Sequence, residues 1–163
     1  MTPEQLAKSG TEHSNQVALF AWAAVAAWNG FAVATMWAQT GDFPNAEYLT
    51  FNRKPIPCLK WLHAIHNQGH GDAIRGAKAK AEGVRKGIPD IFLPMAKYIG
   101  TMVYHGLYIE LKKPSMKPVK QTSAGGLSAE QIEFREYAQS NGYCWKVAYG
   151  WQEAAKIIQD YLS

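Results

Sequence analysis

Three residues in two short stretches carry groups able to do chemistry together: Asp90 in the run GIPD, and Glu110 and Lys112 in the run ELK. Leu107, Ile109 and Leu111 alternate with Tyr108, Glu110 and Lys112, which predicts a strand. Side chains two apart on a strand point the same way, so Glu110 and Lys112 share a face. A half-exposed strand whose polar face meets water accounts for that pair as well. In residues 88–93, Asp90 and Phe92 point one way, and Ile91 and Leu93 the other. Pro89 biases Ile88 toward an extended backbone and removes a ladder donor, so Asp90 sits where a sheet opens or bends. Glu110 follows twenty residues later, a spacing that suits an adjacent strand after a hairpin-like excursion through 95–105. Two carboxylates side by side repel unless protonated or neutralised. A divalent cation resolves the conflict, and hard oxygen ligands favour Mg²⁺ or Mn²⁺. Lys112 would then lie beside the metal, near a phosphate or an attacking water.

The elements that must position these groups follow from pattern and punctuation. No charged residue appears between Glu12 and Asp42. Asn29 and Gly30 interrupt that run and much of it is alanine, so 17–28 reads as a helix buried on nearly all sides rather than a membrane span, with a second short helix after Gly30. Residues 42–57, with Gly41, Pro44, Pro55 and Pro57, read as loop. Residues 59–65 (LKWLHAI) read as a short strand, 66–87 as an exposed loop with one helical turn, and 88–93 as a second strand. After the basic 113–126 loop comes a helix started by Ser128 and Gln131 as a capping box and stopped at Gly142. Residues 143–149 read as a strand. Residues 151–162 close the chain as an amphipathic helix with Ala154, Ala155, Ile158 and Leu162 on one side. This order gives one α/β domain over 1–163, a mixed β-sheet flanked by helices (αβββαβ).

Composition bounds the partners. The chain has 163 residues, 47% hydrophobic and 18% charged, which is ordinary for a globular domain with a real core. Net charge is +4 with a pI near 9.0. Residues 75–120 hold ten Lys/Arg against Glu82, Asp90 and Glu110; that is +7, leaving −3 elsewhere. A localised basic surface suits a polyanion such as nucleic acid, and a solvated lysine-rich loop equally. Cys58 and Cys144 fit neither a disulfide framework nor a CxxC metal site. The N-terminus lacks a secretory pattern, and a cytoplasmic setting is expected.

The residues now resemble a known pattern. Pro89-Asp90, then Glu110-Leu111-Lys112, is similar to the PD-(D/E)xK nuclease signature. The blocks GVRKGIPDIFLP, GLYIELKKP, LSAEQ and GYCWKVAYGWQEA occur in the order of the virus-type replication-repair nuclease (VRR-NUC) domain. TEHSNQVALFAW resembles that family's first helix, so the likeness spans about 11–158. Residues 31–57 are extra material, an insertion, and 64–69 depart from the family's usual AIPNGG. The resemblance implies a restriction-endonuclease-like core and a Mg²⁺- or Mn²⁺-dependent deoxyribonuclease that leaves a 5′-phosphate and a 3′-hydroxyl. It implies Glu12, Asp90 and Glu110 as metal-binding carboxylates, the Leu111 carbonyl as a further ligand, Lys112 as the catalytic lysine and Gln131 as a supporting residue. In a nuclease, Arg85, Lys86, Lys113, Lys117 and Lys120 of the basic stretch are the expected phosphate contacts, with a solvated surface the plainer reading of Arg85 and Lys86. Branched DNA, four-way junctions included, is the substrate expected of a bacterial or phage homodimer with no membrane association. Residues 17–38, too oily for one small domain to hide, are a candidate dimer surface.

Plainer readings stand beside these. Ser9 and Glu12 form an S-x-x-E capping box, and Gln131 is the capping partner of Ser128. His63, His66 and His70 lack a convincing fourth zinc ligand. The six tryptophans read as core, with no spacing for base stacking. Flap-specific or sequence-specific cleavage on the same chemistry, or a non-catalytic basic DNA-binding module, are the alternative functions.

Overall fold

The computed structural model describes residues 1–66, 73–119 and 125–163. Lys120 and His70 therefore lie outside the described residues. Among the described residues, strands β1 (His63–Ala64), β2 (Ile91–Leu93), β5 (Leu107–Lys112) and β6 (Cys144–Tyr149) form one mixed sheet in the order β1-β2-β5-β6. β1, β2 and β5 pair antiparallel, and β6 joins β5 in parallel. The excursion between β2 and β5 is a separate hairpin, β3 (Lys97–Ile99) and β4 (Met102–Tyr104), tethered where the Tyr161 hydroxyl donates to the Met95 carbonyl at 2.7 Å. The α/β sheet flanked by helices is the arrangement expected of a restriction-endonuclease-like core.

One face of the sheet carries Leu107, Ile109 and Leu111 of β5 with Ile91 and Leu93 of β2, all at 0–1% exposure. Each such side chain contributes about 1.5–3 kcal/mol when buried. Against this side pack α2 (Glu12–Asn29) and α7 (Trp151–Leu162). The buried positions of α2 come in pairs, Ser14/Asn15, Ala18/Leu19, Trp22/Ala23 and Ala26/Ala27, the repeat of a single helical seam. The expected burial on all sides is thus replaced by one buried stripe, because Val17, Ala24 and Trp28 face outward. Helix α3 (Phe31–Thr40) follows Gly30 as expected and buries Val33, Ala34 and Ala38. One chain therefore hides most of 17–38 by itself, which removes the reason for assigning that run to a dimer surface. No helix among the described residues is long and apolar enough to cross a membrane.

Several local expectations change. Residues 42–57 contain α4 (Ala46–Asn52), started by Asn45, whose side chain accepts the Tyr48 N–H at 2.9 Å. Residues 57–61 form a 3₁₀ turn opened by Pro57 and only 63–64 are strand, because Leu59 and Leu62 bury at a spacing of three rather than two. Ala73–Ala81 is a full helix, α5, in an alanine- and lysine-rich stretch that favours helix. A short helix α1 (Pro3–Leu6) and a 3₁₀ turn precede α2, and Gly10, in the left-handed region, separates them. The cap of α2 is accordingly Thr11, not Ser9, and Glu12 is the first helical residue rather than a capping partner. Among the tryptophans, Trp22, Trp145 and Trp151 are buried, whereas Trp28 and Trp61 are 71% and 61% exposed.

Candidate active site

Continuing the β2–β5 register one step past Ile91↔Ile109 sets Asp90 opposite Glu110, and one further step sets Pro89 opposite Leu111. Pro89 has no N–H to give to that ladder position. That leaves the Leu111 carbonyl without its ladder donor, and the Leu111 N–H donates to Asp90 Oδ2 at 2.9 Å, seating the carboxylate at the end of the β2–β5 ladder. On the neighbouring strand, Glu110 and Lys112 are 2% and 8% exposed. The water-facing strand is excluded: this is a buried charged pair, with Lys112 Nζ at 2.7 Å from Glu110 Oε1.

Helix α6 (Ala129–Ser140) covers this polar face, and its first turn completes the arrangement. Ser128 and Gln131 form the expected capping box: the Gln131 N–H donates to Ser128 Oγ at 3.2 Å, and the Ser128 N–H to Gln131 Oε1 at 2.9 Å. The same glutamine reaches the acid pair. Its Nε2 donates to Glu110 Oε1, and its Oε1 accepts from Lys112 Nζ at 3.4 Å. Gln131 thus caps α6 and bonds the Glu110–Lys112 pair with the same side chain. Gly87 lets the preceding turn close against α6: at φ +85°, a Cβ there would stand 2.4 Å from the Glu130 carbonyl oxygen.

These elements surround an open cavity of about 400 Å³ into which Glu12, Asp90, Glu110, Lys112, Gln131 and Lys86 all contribute. Glu130, not foreseen from sequence, also lines it, and its backbone N–H and Ser128 hold its carboxyl below the usual range. Its place at the second residue after the cap was the available signal. Burial pushes the Glu110 carboxyl up to about 7, with Asp90 and Glu12 adding to the rise and Lys112 opposing it. Burial likewise raises Asp90, against the pull of the Leu111 N–H, with Glu12 raising and Lys112 lowering it further.

Among the described residues, no three His, Cys, Asp or Glu side chains are drawn together as a set that could hold an ion. Asp90 Oδ2 is engaged by a backbone N–H, and Glu110 Oε1 by an ammonium and an amide. Glu110 Oε2, however, is buried without any hydrogen-bond partner. A buried carboxylate oxygen left unmatched is costly. Two carboxylates, one of them with a free buried oxygen, in a water-accessible cavity suit Mg²⁺, which keeps several waters and takes one or two protein carboxylates. The donor set fits a hard divalent cation.

The outlying candidates separate from this centre. Arg85 is exposed and donates through Nη1 to the Lys80 carbonyl at 3.3 Å, outside the cavity lining. Lys113 is exposed where β5 ends, and Lys117 Nζ pairs with Glu153 at 3.3 Å. His63 bonds the Trp61 carbonyl at 2.9 Å and stands edge-on to Phe92, a packing role.

A solved structure of a VRR_NUC domain protein aligns with this chain at a TM-score of 0.54 and 25% sequence identity, over 93% of this chain and 88% of that one. The fold is that of a VRR-NUC domain. No family model matches the sequence, and no curated protein matches it. In this chain the Asp90–Glu110–Lys112 centre lies where α2, β2, β5 and the start of α6 meet.

Proposed function

We propose that this chain is a Mg²⁺- or Mn²⁺-dependent DNA endonuclease that hydrolyses phosphodiester bonds, acting on branched DNA such as four-way junctions. The observation that carries the reading is the partnerless, buried Oε2 of Glu110 beside Asp90, in a cavity that also takes the Lys112 ammonium. A non-catalytic DNA-binding module has no use for a buried carboxylate pair, which weakens phosphate binding.

Asp90 and Glu110, with the Leu111 carbonyl, would hold the ion, and Glu12, on the wall of the same cavity, would join them by turning its side chain inward. When bound, a divalent cation polarises a phosphate oxygen and lowers the pKa of a coordinated water. Lys112 Nζ orients the attacking water or meets the negative charge that grows on phosphorus-bound oxygen. Gln131 fixes the Glu110 carboxylate from α6, and Asp90 is held by the Leu111 N–H. Hydrolysis adds water oxygen to phosphorus and breaks the bond to O3′, leaving a 3′-hydroxyl and a 5′-phosphate. Lys86 at the cavity, with Arg85, Lys113, Lys117 and Lys120 beyond it, contributes phosphate contacts that position the strand without reading sequence.

The unit is one VRR-NUC-type domain over 1–163 with 31–57 as an insertion, working in the cytoplasm of a bacterial or phage-infected cell, and a homodimer presents two such cavities to a junction. The test is purified protein with Mg²⁺, Mn²⁺ or EDTA against junction, flap, splayed and linear DNA. Metal-dependent cutting with preference for the junction is expected. Equal cutting of linear duplex at one sequence overturns the substrate, and no cutting with either metal overturns the enzyme.

A further inference from the structure

We infer that Asn15 is a positioning residue that locks the Glu12-bearing turn of α2 to the end of β5 carrying Glu110 and Lys112; the inference rests on the metal-site reading above. The Glu12 carboxylate has no hydrogen bond or ion pair among the described residues, so what fixes its reach into the cavity is the position of the α2 backbone that bears it. That backbone is set by the helix cap. The Thr11 carbonyl accepts from Asn15 Nδ2 at 2.8 Å, from the Asn15 N–H at 3.1 Å and from Ser14 Oγ at 2.9 Å.

The other end of the same amide crosses the fold. Asn15 Oδ1 accepts the Trp151 N–H at 3.0 Å, one of the donors that the start of α7 leaves without an intrahelical partner. The adjacent Gly150 N–H donates to the Lys112 carbonyl at 3.0 Å. A continuous path therefore runs from Thr11 through Asn15, Trp151 and Gly150 to Lys112. Asn15 is 2% exposed. Gly150 keeps the path short: at φ +96°, a Cβ would come within 3.0 Å of Pro114 Cγ and 3.4 Å of Asn15 Oδ1. A plain helix-packing contact needs only one of these bonds. Having both ties the first carboxylate to the second strand by backbone-directed hydrogen bonds rather than by side-chain packing.

The experiment is a double-substitution cycle read by Mn²⁺ affinity, from calorimetry or electron paramagnetic resonance, without DNA. Asn15→Ala removes both bonds. Asn15→Ser brings in no charge, keeps a hydroxyl able to donate four residues back to the Thr11 carbonyl and loses only the reach to Trp151, and it carries the test if the alanine variant does not fold. Each is expected to weaken Mn²⁺ binding about tenfold or more, the scale of residues that orient metal ligands. In a Glu12→Gln background the same changes should have little further effect, because Asn15 acts through Glu12. Unchanged Mn²⁺ affinity in a folded Asn15 variant, or losses that multiply undiminished with Glu12→Gln, overturns the inference alone. Wild-type protein that takes up no Mn²⁺ overturns the metal-site reading and this inference with it.

Discussion

Tyr108 and Glu110 are neighbours on one face of β5, separated by a single residue, and their surroundings are opposite. Around Tyr108 the face is an aromatic cluster: Phe92 stacks on it with centroids 4.4 Å apart, Phe134 of α6 meets it edge-on at 5.3 Å, and Tyr143 closes at 5.4 Å. Around Glu110 the same face turns to charge, and its cover is the capped first turn of α6 rather than a ring. The apolar half anchors the helix. Because the helix is anchored there, its other end can hold Gln131 over a buried carboxylate. Stability and chemistry are thus divided along about one pleat of strand, some 7 Å.

Breaking the charged half should show the largest effect. Glu110→Gln and Asp90→Asn are expected to reduce Mg²⁺-dependent cleavage to background while DNA binding is kept or tightened, since repulsion of phosphate is relieved; gel-based cleavage and binding measured together check this. The same half should carry a stability signature. The Glu110 carboxyl is pushed from 4.5 up to about 7 in the fold. The folded state then binds more protons than the unfolded chain between those values, so stability falls as pH rises through that window. The loss is about 3 kcal/mol at most, complete above pH 7. Urea unfolding in EDTA from pH 4 to 8 should show the fall, and Glu110→Gln should flatten it. Saturating Mg²⁺ should reduce it as well, by favouring the ionised form.

Breaking the aromatic half should do the reverse. Phe134→Ala is expected to cost about 2–3 kcal/mol, below the range for a fully buried ring because Phe134 is only half-buried. Cleavage per folded molecule should persist well below the melting temperature. The smallest effects belong outside both halves. Lys113→Ala should weaken DNA binding and lower the slope of log affinity against log salt by about 0.9, the value for one lost phosphate contact. Lys117→Ala should change it less, because its ammonium already pairs with Glu153.

The charged half was legible because its chemistry is written locally. Strand alternation put Glu110 and Lys112 on one face, Pro89 marked the sheet edge, and the Ser128–Gln131 spacing fixed the α6 cap. The closing helix was read at its observed ends for the same reason, having a glycine before it and a strict apolar stripe. Residues 59–65 mislead because Leu59 and Leu62 look like strand residues, whereas Pro57 starts a 3₁₀ turn that runs through Trp61. The cap of α2 was missed because Ser9 and Thr11 compete for it, and only the left-handed Gly10 decides in favour of Thr11. Trp28 and Trp61 stand outside the core that their residue type suggests, because residue type carries no record of which side of a seam a position occupies. Burial of Glu110 and Lys112 was also beyond the sequence, since it depends on α6, nearly twenty residues away, lying over β5.

The central claim is that the buried Asp90–Glu110 pair is completed by a divalent cation. Anomalous diffraction from crystals grown with Mn²⁺ tests it most directly. A peak is predicted within bonding distance of Asp90 and of Glu110 Oε2, absent in Asp90→Asn; full Mn²⁺ occupancy elsewhere, or none at this pair under saturating ion, would contradict it.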